Sequence, residues 1–240
     1  MITLAIDTST LVLGVAVLDE ERVLGEVTTN LKKNHSVRLM PTVVSLLQEL
    51  DLSPADIGQV AVAAGPGSYT GVRIGFTTAK TLTWSRNIPM LSVSSLAVLA
   101  MNGIRFPGKV VPMFDARRNR AYTGCFRAKN GRMEAVIPER VGSVDRWLKE
   151  LRGEGPLLFL GDDVARFRDS IVQTLGNQAH FGLPGENIPR ASHLAWLAYR
   201  MYKEDPRSVI QAAPNYLQMT EAEAKWLKAN GVNKDGSSAH

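Results

Sequence analysis

The chain has 240 residues, 45% of them hydrophobic and 21% charged, a globular composition for one large or two small domains that excludes intrinsic disorder. One cysteine, Cys125, excludes an internal disulfide and a cysteine-built zinc site and points to a reducing, cytoplasmic setting. The formal charge is +5, and residues 105–152 hold twelve Lys and Arg against five Asp and Glu, so the positive excess lies in one middle segment; that segment suits an anionic partner such as RNA or a plain solvated surface.

Residues 1–7 lack the basic start of a secretion signal, and no stretch reaches the ~18 uninterrupted apolar residues of a membrane span. Apolar runs at 2–6, 11–18 and 22–28, joined by short polar turns, predict an antiparallel meander. Helical spacing follows over 36–50, with Val37, Met40, Val44 and Leu47 on one face. Ser53-Pro54 marks a turn or a new N-cap with proline at the first helical position. A buried strand at 59–64, a glycine-rich loop at 65–71 and a helix at 72–86 come next, and strand 90–93 and helix 94–102 repeat the alternation. Hairpins mixed with crossovers imply one mixed sheet covered by helices.

The pattern breaks at Gly103-Ile104-Arg105-Phe106-Pro107-Gly108, which places a boundary between a first subdomain, 1–104, and a second, 105–220. Strands are expected at 109–114, 120–126 and 133–137, with Asn130-Gly131 as the hairpin turn. A helix at 143–152, a strand at 157–160 and helices at 162–175 and 191–204 make the second half a shortened echo of the first. Residues 221–240 are expected to be a C-terminal helix and a frayed tail.

Two motifs carry chemistry. Asp7-Thr8-Ser9-Thr10, at a strand-to-strand turn, offers a carboxylate and three hydroxyls that suit a metal-phosphate group, and equally suits an ordinary capped turn. Gly65-Pro66-Gly67-Ser68-Tyr69-Thr70-Gly71 joins a strand to a helix N-terminus, where free backbone N–H groups attract anions. It lacks the Gly-Lys-Ser/Thr ending of a Walker A loop. From spacing alone, a phosphate cradle and a tight packing connection are equally good readings.

With these motifs, His35 followed by Leu39-Met40-Pro41, the extension Val72-Arg73-Ile74-Gly75, Ala79-Lys80, Val93-Ser94-Ser95-Leu96, Asp115-Ala116-Arg117 and Pro214-Asn215-Tyr216-Leu217, residues 2 to about 220 resemble the TsaB family, also called YeaZ. The resemblance implies an α/β, actin-like (ribonuclease H-like) fold of two duplicated mixed-sheet subdomains, the second reduced. It also implies a role in placing threonylcarbamoyl on adenosine 37 of tRNAs that read ANN codons. In that pathway TsaC makes threonylcarbamoyl-adenylate, and an assembly of TsaB, TsaD and TsaE transfers the group.

The paralogue TsaD carries His-x-x-x-His on a helix to hold a metal. Ser95 and Leu99 stand at the matching positions here, and neither replaces an imidazole. His35, His180, His193 and His240 form no i, i+4 pair. In the second half, Asp115-Ala116-Arg117-Arg118-Asn119-Arg120 replaces a glycine-bearing phosphate turn, and Leu158-Phe159-Leu160-Gly161-Asp162-Asp163 resembles an adenosine-receiving turn with carboxylates in place of its second glycine.

The resemblance therefore implies a non-catalytic subunit with no catalytic residue, no metal and no cofactor of its own, a nucleotide at a subunit interface remaining open. Asp7, Thr8, Ser9, Thr10, Gly65, Gly67, Ser68, Thr70 and Gly71 are vestigial phosphate-loop positions. Expected partners are a TsaD-like catalytic subunit, a TsaE-like ATPase, tRNA through the complex, and a second copy when the chain is alone; no membrane is involved. Helices 36–50 and 72–86 are the candidate pairing surface, through Val43, Leu47, Phe76, Lys80 and Trp84. Arg117, Arg118 and Arg120, with Arg127 and Arg132, are candidate RNA contacts. The alternative is an actin-like-fold small-molecule kinase or ATPase; a peptidase reading finds no nucleophile and base, since Cys125 falls inside a strand.

Overall fold

A computed structural model of the chain describes residues 1–206 and Asn215. Strands β1 (Ile2–Asp7), β2 (Val12–Asp19) and β3 (Arg22–Asn30) form the predicted meander. Helix α1 (His35–Glu49), strand β4 (Ile57–Ala63), helix α2 (Tyr69–Arg86) and strand β5 (Met90–Val93) complete the first sheet, ordered β3-β2-β1-β4-β5. β1, β4 and β5 run parallel, while β2 and β3 are antiparallel to their neighbours. Ser53 caps the turn Pro54–Asp56 through a capping box, as its place before proline predicts.

After α3 (Ser95–Ala100), strands β6 (Lys109–Asp115), β7 (Arg120–Lys129) and β8 (Arg132–Ser143) form a second meander. α4 (Val144–Glu150), β9 (Leu157–Leu160), α5 (Arg168–Leu175) and β10 (Ala179–Phe181) follow. The second sheet is ordered β8-β7-β6-β9-β10, again with two antiparallel and two parallel pairings. The topology of the first sheet is thus repeated strand for strand, as in the duplicated actin-like fold. All five strands survive in the second copy. Its reduction lies in the helices, since α4 and α5 have 7 and 8 residues against 15 and 18 in α1 and α2.

Side-chain alternation decides which helix covers which face. On the outer face of the first sheet, Leu4, Ile6, Leu13, Val15, Val17, Val60 and Val62 pack on α1 and α2. On its inner face stand Ala5, Ala16, Ala61 and Ala63, and against them lies α6 (Ala191–Glu204) with Ala191, Ala195 and Ala198 on one stripe. Alanine against alanine brings helix and sheet close together: a Cβ on Gly14 would already lie 3.1 Å from that of Ala191. α6 was expected with residues 105–220, yet it packs on the first sheet. The same inner core takes in Val110, Phe114, Phe126, Leu158 and Leu160 of the second sheet, so α3 and α6 are shared between the two copies. Outside the second sheet, Val111, Met113, Cys125 and Phe159 pack on α4 and α5.

A clasp fastens the start of α6 to β3. The Glu26 carboxylate accepts from Arg190 at 2.7 Å and from Ser192 Oγ at 2.9 Å. Burial pushes the Glu26 carboxyl up, but the hydrogen bonds from Arg190 and Ser192 together bring it below its ordinary range. Its stabilisation is therefore present above the unfolded carboxylate value and is lost as pH falls through the lower folded one. Among the described residues no helix is long and apolar enough to cross a membrane. The expected features at 221–240, and Pro214, Tyr216 and Leu217, lie outside the described residues.

Candidate functional site

β1 ends at Asp7, and the turn that follows meets the loop between β4 and α2. Asp7 is 1% exposed, and Thr8 and Ser9 are also buried. Asp7 Oδ1 accepts from the Ser9 backbone N–H at 2.9 Å and from Ser9 Oγ at 2.7 Å, while its buried Oδ2 has no partner among the described residues. Thr8 Oγ1 donates to the Gly71 carbonyl at 2.8 Å, and the Ser68 N–H donates to the Ser9 carbonyl at 2.7 Å. Thr10 Oγ1 accepts from the Val12 N–H at 3.1 Å, and the Thr10 carbonyl lies 2.8 Å from His35 Nε2.

The two phosphate-type motifs are thus brought together, but they bond to each other. The helix begins three residues earlier than its apolar spacing predicts: Ser68 is the N-cap, its Oγ accepting from the Gly71 N–H, and Tyr69, Thr70 and Gly71 form the first turn of α2. A Cβ on Gly67 would stand 2.1 Å from the Ser9 carbonyl oxygen, and one on Gly71 2.1 Å from that of Thr8. These glycines admit neighbouring backbone, and of the two readings of the loop the packing connection is the one the geometry fulfils. Thr70 is exposed and borders a groove of about 400 Å³ between α1 and α2, lined also by Met40, Tyr69, Arg73, Ile74 and Thr77.

Ser95 and Leu99, both fully buried on α3, have other duties than ligation. Ser95 Oγ accepts from the Gly65 N–H at 3.1 Å, and the Ser95 N–H donates to the Gly65 carbonyl at 2.8 Å. The loop is locked to α3 by this pair. Leu99 sits under the second sheet's turn, its Cδ2 3.5 Å from where a Cβ on Gly161 would stand. In that turn Asp163 accepts from the Asp115 N–H at 2.9 Å and Asp162 accepts from Asn30, so both carboxylates tie elements together. Asn30 sits at the end of β3, and its bond joins the two halves across their mouth.

Sequence reasoning missed a further tie. Ser94, the N-cap of α3, donates to Glu139 on β8, and Asn215 Nδ2 lies 3.4 Å from the other Glu139 oxygen. The Asn215 N–H donates to the Ala64 carbonyl at 2.7 Å, just before Gly65. Burial holds the Glu139 carboxyl above its ordinary range. No local pattern reveals such a contact, since its members are 45 and 76 residues apart.

Three expected pairing residues are not at the surface. Val43, Leu47 and Phe76 (7% exposed) belong to the core beneath the first sheet. Trp84, by contrast, is 86% exposed, and Lys80 is exposed beside it. On α1 the exposed apolar stripe is Val37, Met40 and Val44, while Leu47, expected on the same face, is buried. Arg132 is also removed from the free basic groups, because it pairs with Glu134 and with Glu204 at 2.7 Å. Cys125 is buried in β7 and burial pushes its thiol up to about 11, far from a nucleophile's range.

The family model described as "TsaD: tRNA N6-adenosine threonylcarbamoyltransferase" matches residues 22–226. The tRNA threonylcarbamoyladenosine biosynthesis protein TsaB of Bacillus subtilis is 47% identical over 95% of this chain and 99% of its own. This chain belongs to the TsaB (YeaZ) branch of the TsaD family. The Escherichia coli protein of the same name is 31% identical over 95% of this chain and 98% of its own. The solved structure of YeaZ from Pseudomonas aeruginosa superposes with a TM-score of 0.74 at 29% identity, over 90% of this chain and 99% of that one. In this chain the β1–β2 turn and the loop before α2 are closed on each other.

The buried Asp7 supplies a test of that closure. Burial raises its carboxyl above the ordinary value, and the Ser9 backbone and side-chain hydrogen bonds and the His35 charge bring it only part of the way back. Folding therefore favours the protonated form, and stability present below the unfolded value is lost as pH rises through the higher folded one. Asp7→Asn keeps an oxygen acceptor for Ser9 and removes the charge. Thermal melts should find the variant at least as stable as the parent at pH 8, with the difference vanishing as pH falls below the unfolded carboxylate value. A lower midpoint at pH 8 would show that Asp7 answers a cationic group instead.

Proposed function

We propose that this chain is a non-catalytic subunit of a tRNA threonylcarbamoyl-transfer assembly, holding and activating a TsaD-like catalytic subunit. The observation that carries the reading is the state of α3 and its neighbours. Where the paralogue presents metal-binding imidazoles, Ser95 locks Gly65 and Leu99 fills the core, while Thr8 and Ser9 occupy the space a phosphate would need beside Gly67 and Gly71. The relatives named TsaB are biosynthesis proteins for tRNA threonylcarbamoyladenosine, which supports the same pathway here, with adenosine 37 of ANN-decoding tRNAs as the modified base.

The TsaD-like subunit docks on the face formed by α1 and α2, where Val37, Met40, Val44, Tyr69 and Trp84 are exposed. Without that partner, two copies pair through the same face. A TsaE-like ATPase joins the assembly, which works in the cytoplasm on tRNA. A small-molecule kinase or ATPase is disfavoured, because either would need an open first phosphate turn.

The reading is tested with unmodified tRNA and threonylcarbamoyl-adenylate supplied to the chain, to the TsaD-like subunit of the same organism, and to both with the TsaE-like ATPase. Modified tRNA is expected from the full set and not from the chain alone. Product from the chain by itself, or ATP turnover by it above a blank, would overturn the assignment.

A further inference from the structure

The charges of the first subdomain are sorted onto different faces. Residues 31–48 and 65–86, which hold α1 but for its last residue, the loop before α2 and α2 itself, carry six cations, Lys32, Lys33, Arg38, Arg73, Lys80 and Arg86, and no aspartate or glutamate. Yet residues 1–104 as a whole hold seven Lys and Arg against eight Asp and Glu. The carboxylates stand elsewhere. Asp7 is buried, Asp19, Glu20 and Glu21 lie at the turn between β2 and β3, and Glu26 is held by Arg190. Glu49 and Asp51 close α1, and Asp56 lies within reach of the Arg86 charge.

Arg86 apart, these cations make no ion pair among the described residues. Arg38 donates to Thr29 Oγ1 at 2.6 Å, and Arg73 donates to the Tyr69 hydroxyl at 3.3 Å with its guanidinium 5.3 Å from that ring. Lys32, Lys33 and Lys80 are exposed. Arg73 and Lys80 belong to one stripe of α2, Thr70, Arg73, Thr77, Lys80 and Trp84, spaced three and four residues apart and exposed throughout. Arg73 lines the groove between the helices together with Met40, and Met40, with Val37 and Val44, is the exposed apolar stripe of α1. The face is thus an apolar strip flanked by cations. Phosphates of a nucleic acid have no use for the apolar strip, whereas a protein surface with an apolar ridge and flanking carboxylates matches both parts.

We propose that this charge selects the occupant of the α1–α2 face: a TsaD-like subunit docks there with carboxylates opposite Arg73 and Lys80, and a second copy of this chain is disfavoured. In a two-fold pair the same patch faces itself, so the cations of one copy meet cations or neutral groups of the other in any register of the two segments. Apolar contact must then overcome repulsion, and the wrong partner is rejected by charge it cannot answer. An acidic partner gains attraction from the same groups, chiefly as faster association. The inference rests on the reading that the TsaD-like subunit docks on this face, and adds the sign of the charge that subunit must carry there.

The two pairings should respond to salt in opposite directions. The full chain is followed by sedimentation, alone and with the TsaD-like subunit of the same organism, from about 0.1 M to about 1 M potassium chloride, where the screening length falls from about 10 Å to about 3 Å. Self-association should tighten with salt, and mixed pairing should weaken. Arg73→Gln with Lys80→Gln separates this from a general effect of salt on apolar contact. At the low-salt end this variant should self-associate more tightly than the parent, yet bind the TsaD-like subunit on the order of ten-fold more weakly. Its melting midpoint should be unchanged, because both side chains are exposed. A change of the same direction in both pairings of the glutamine variant would overturn the proposal, as would mixed pairing of the parent that strengthens with salt. Loss of labelled tRNA binding by the glutamine variant with its mixed pairing intact would also overturn it, and would make RNA the polyanion this face meets. If the parent binds no TsaD-like subunit at either end of the series, the proposed function fails first, and the two failures are separable in one preparation.

Discussion

Gly71→Ala should cost this protein its folded state, or about 3–5 kcal/mol of it. Helix propensity alone predicts the reverse, since alanine is favoured over glycine inside a helix by about 1 kcal/mol. Close approach decides the sign. The new Cβ would stand 2.1 Å from the Thr8 carbonyl oxygen and 3.3 Å from its carbon, and both are backbone atoms with no rotamer to escape into. Relief requires α2 to withdraw from the β1–β2 turn. That movement pulls Val72, Phe76 and Ala79 out of the outer core and breaks the Thr8 hydrogen bond to the Gly71 carbonyl. Most domains hold only about 5–15 kcal/mol in total. Gly185→Ala is the control, because a Cβ there meets nothing within 4 Å. Denaturant midpoints read by circular dichroism should show the control near the parent and Gly71→Ala far below it. A Gly71→Ala variant within 1 kcal/mol of the parent would mean that the two turns are not pressed together.

The elements legible in the sequence were those with strong alternation or clear punctuation. β5 begins and ends at the expected residues, as do β9 and α6, because each is a compact apolar or periodic run between polar breaks. The Asn130-Gly131 turn also stands as read, both residues having positive φ. β10 was invisible, since Ala179–Phe181 is too short to show any period and is held by pairing with β9. The early start of α2 was signalled only by Ser68, whose side chain caps a turn that contains no apolar periodic residue.

The site was less legible than the fold for a related reason. α1 carries two apolar stripes, Leu39, Val43 and Leu46 on one side and Val37, Met40 and Val44 on the other, and period 3.6 fits both. Only the sheet's position shows that the first stripe is buried and the second is exposed. Phe76 belongs to the series Val72, Phe76, Ala79, Thr83, all buried. Helical spacing sets Phe76 on an outward stripe with Lys80 and Trp84, yet it is buried in the outer core while Trp84 is exposed. Residue type identified the loop and the turn of the site. What they do to each other depended on distances that spacing does not contain.

The second of the two largest effects is expected at the α1–α2 face. Val44→Glu and Trp84→Glu should each leave the chain folded, with melting midpoints within a few degrees of the parent, because both side chains are exposed. Phe76→Glu, in contrast, should unfold it by burying an unpaired charge. Binding to the TsaD-like subunit, followed by calorimetry, should weaken by about 2–4 kcal/mol for each surface variant, the scale of an interface anchor. One partner is wide enough to span the exposed side of α2 from end to end. Tyr69 and Trp84 are fifteen residues apart on α2, about 22 Å at 1.5 Å per residue, and a typical partner covers about 800 Å² on each side, a patch roughly 30 Å across. The double variant discriminates further. If both residues meet the same subunit without touching each other, their losses add and pairing disappears at micromolar concentration. If Val44→Glu abolishes pairing while Trp84→Glu does nothing, the interface is centred on α1 and the groove beside Tyr69, and Trp84 faces another protein. Undiminished binding by both variants would place the partner on a different face altogether.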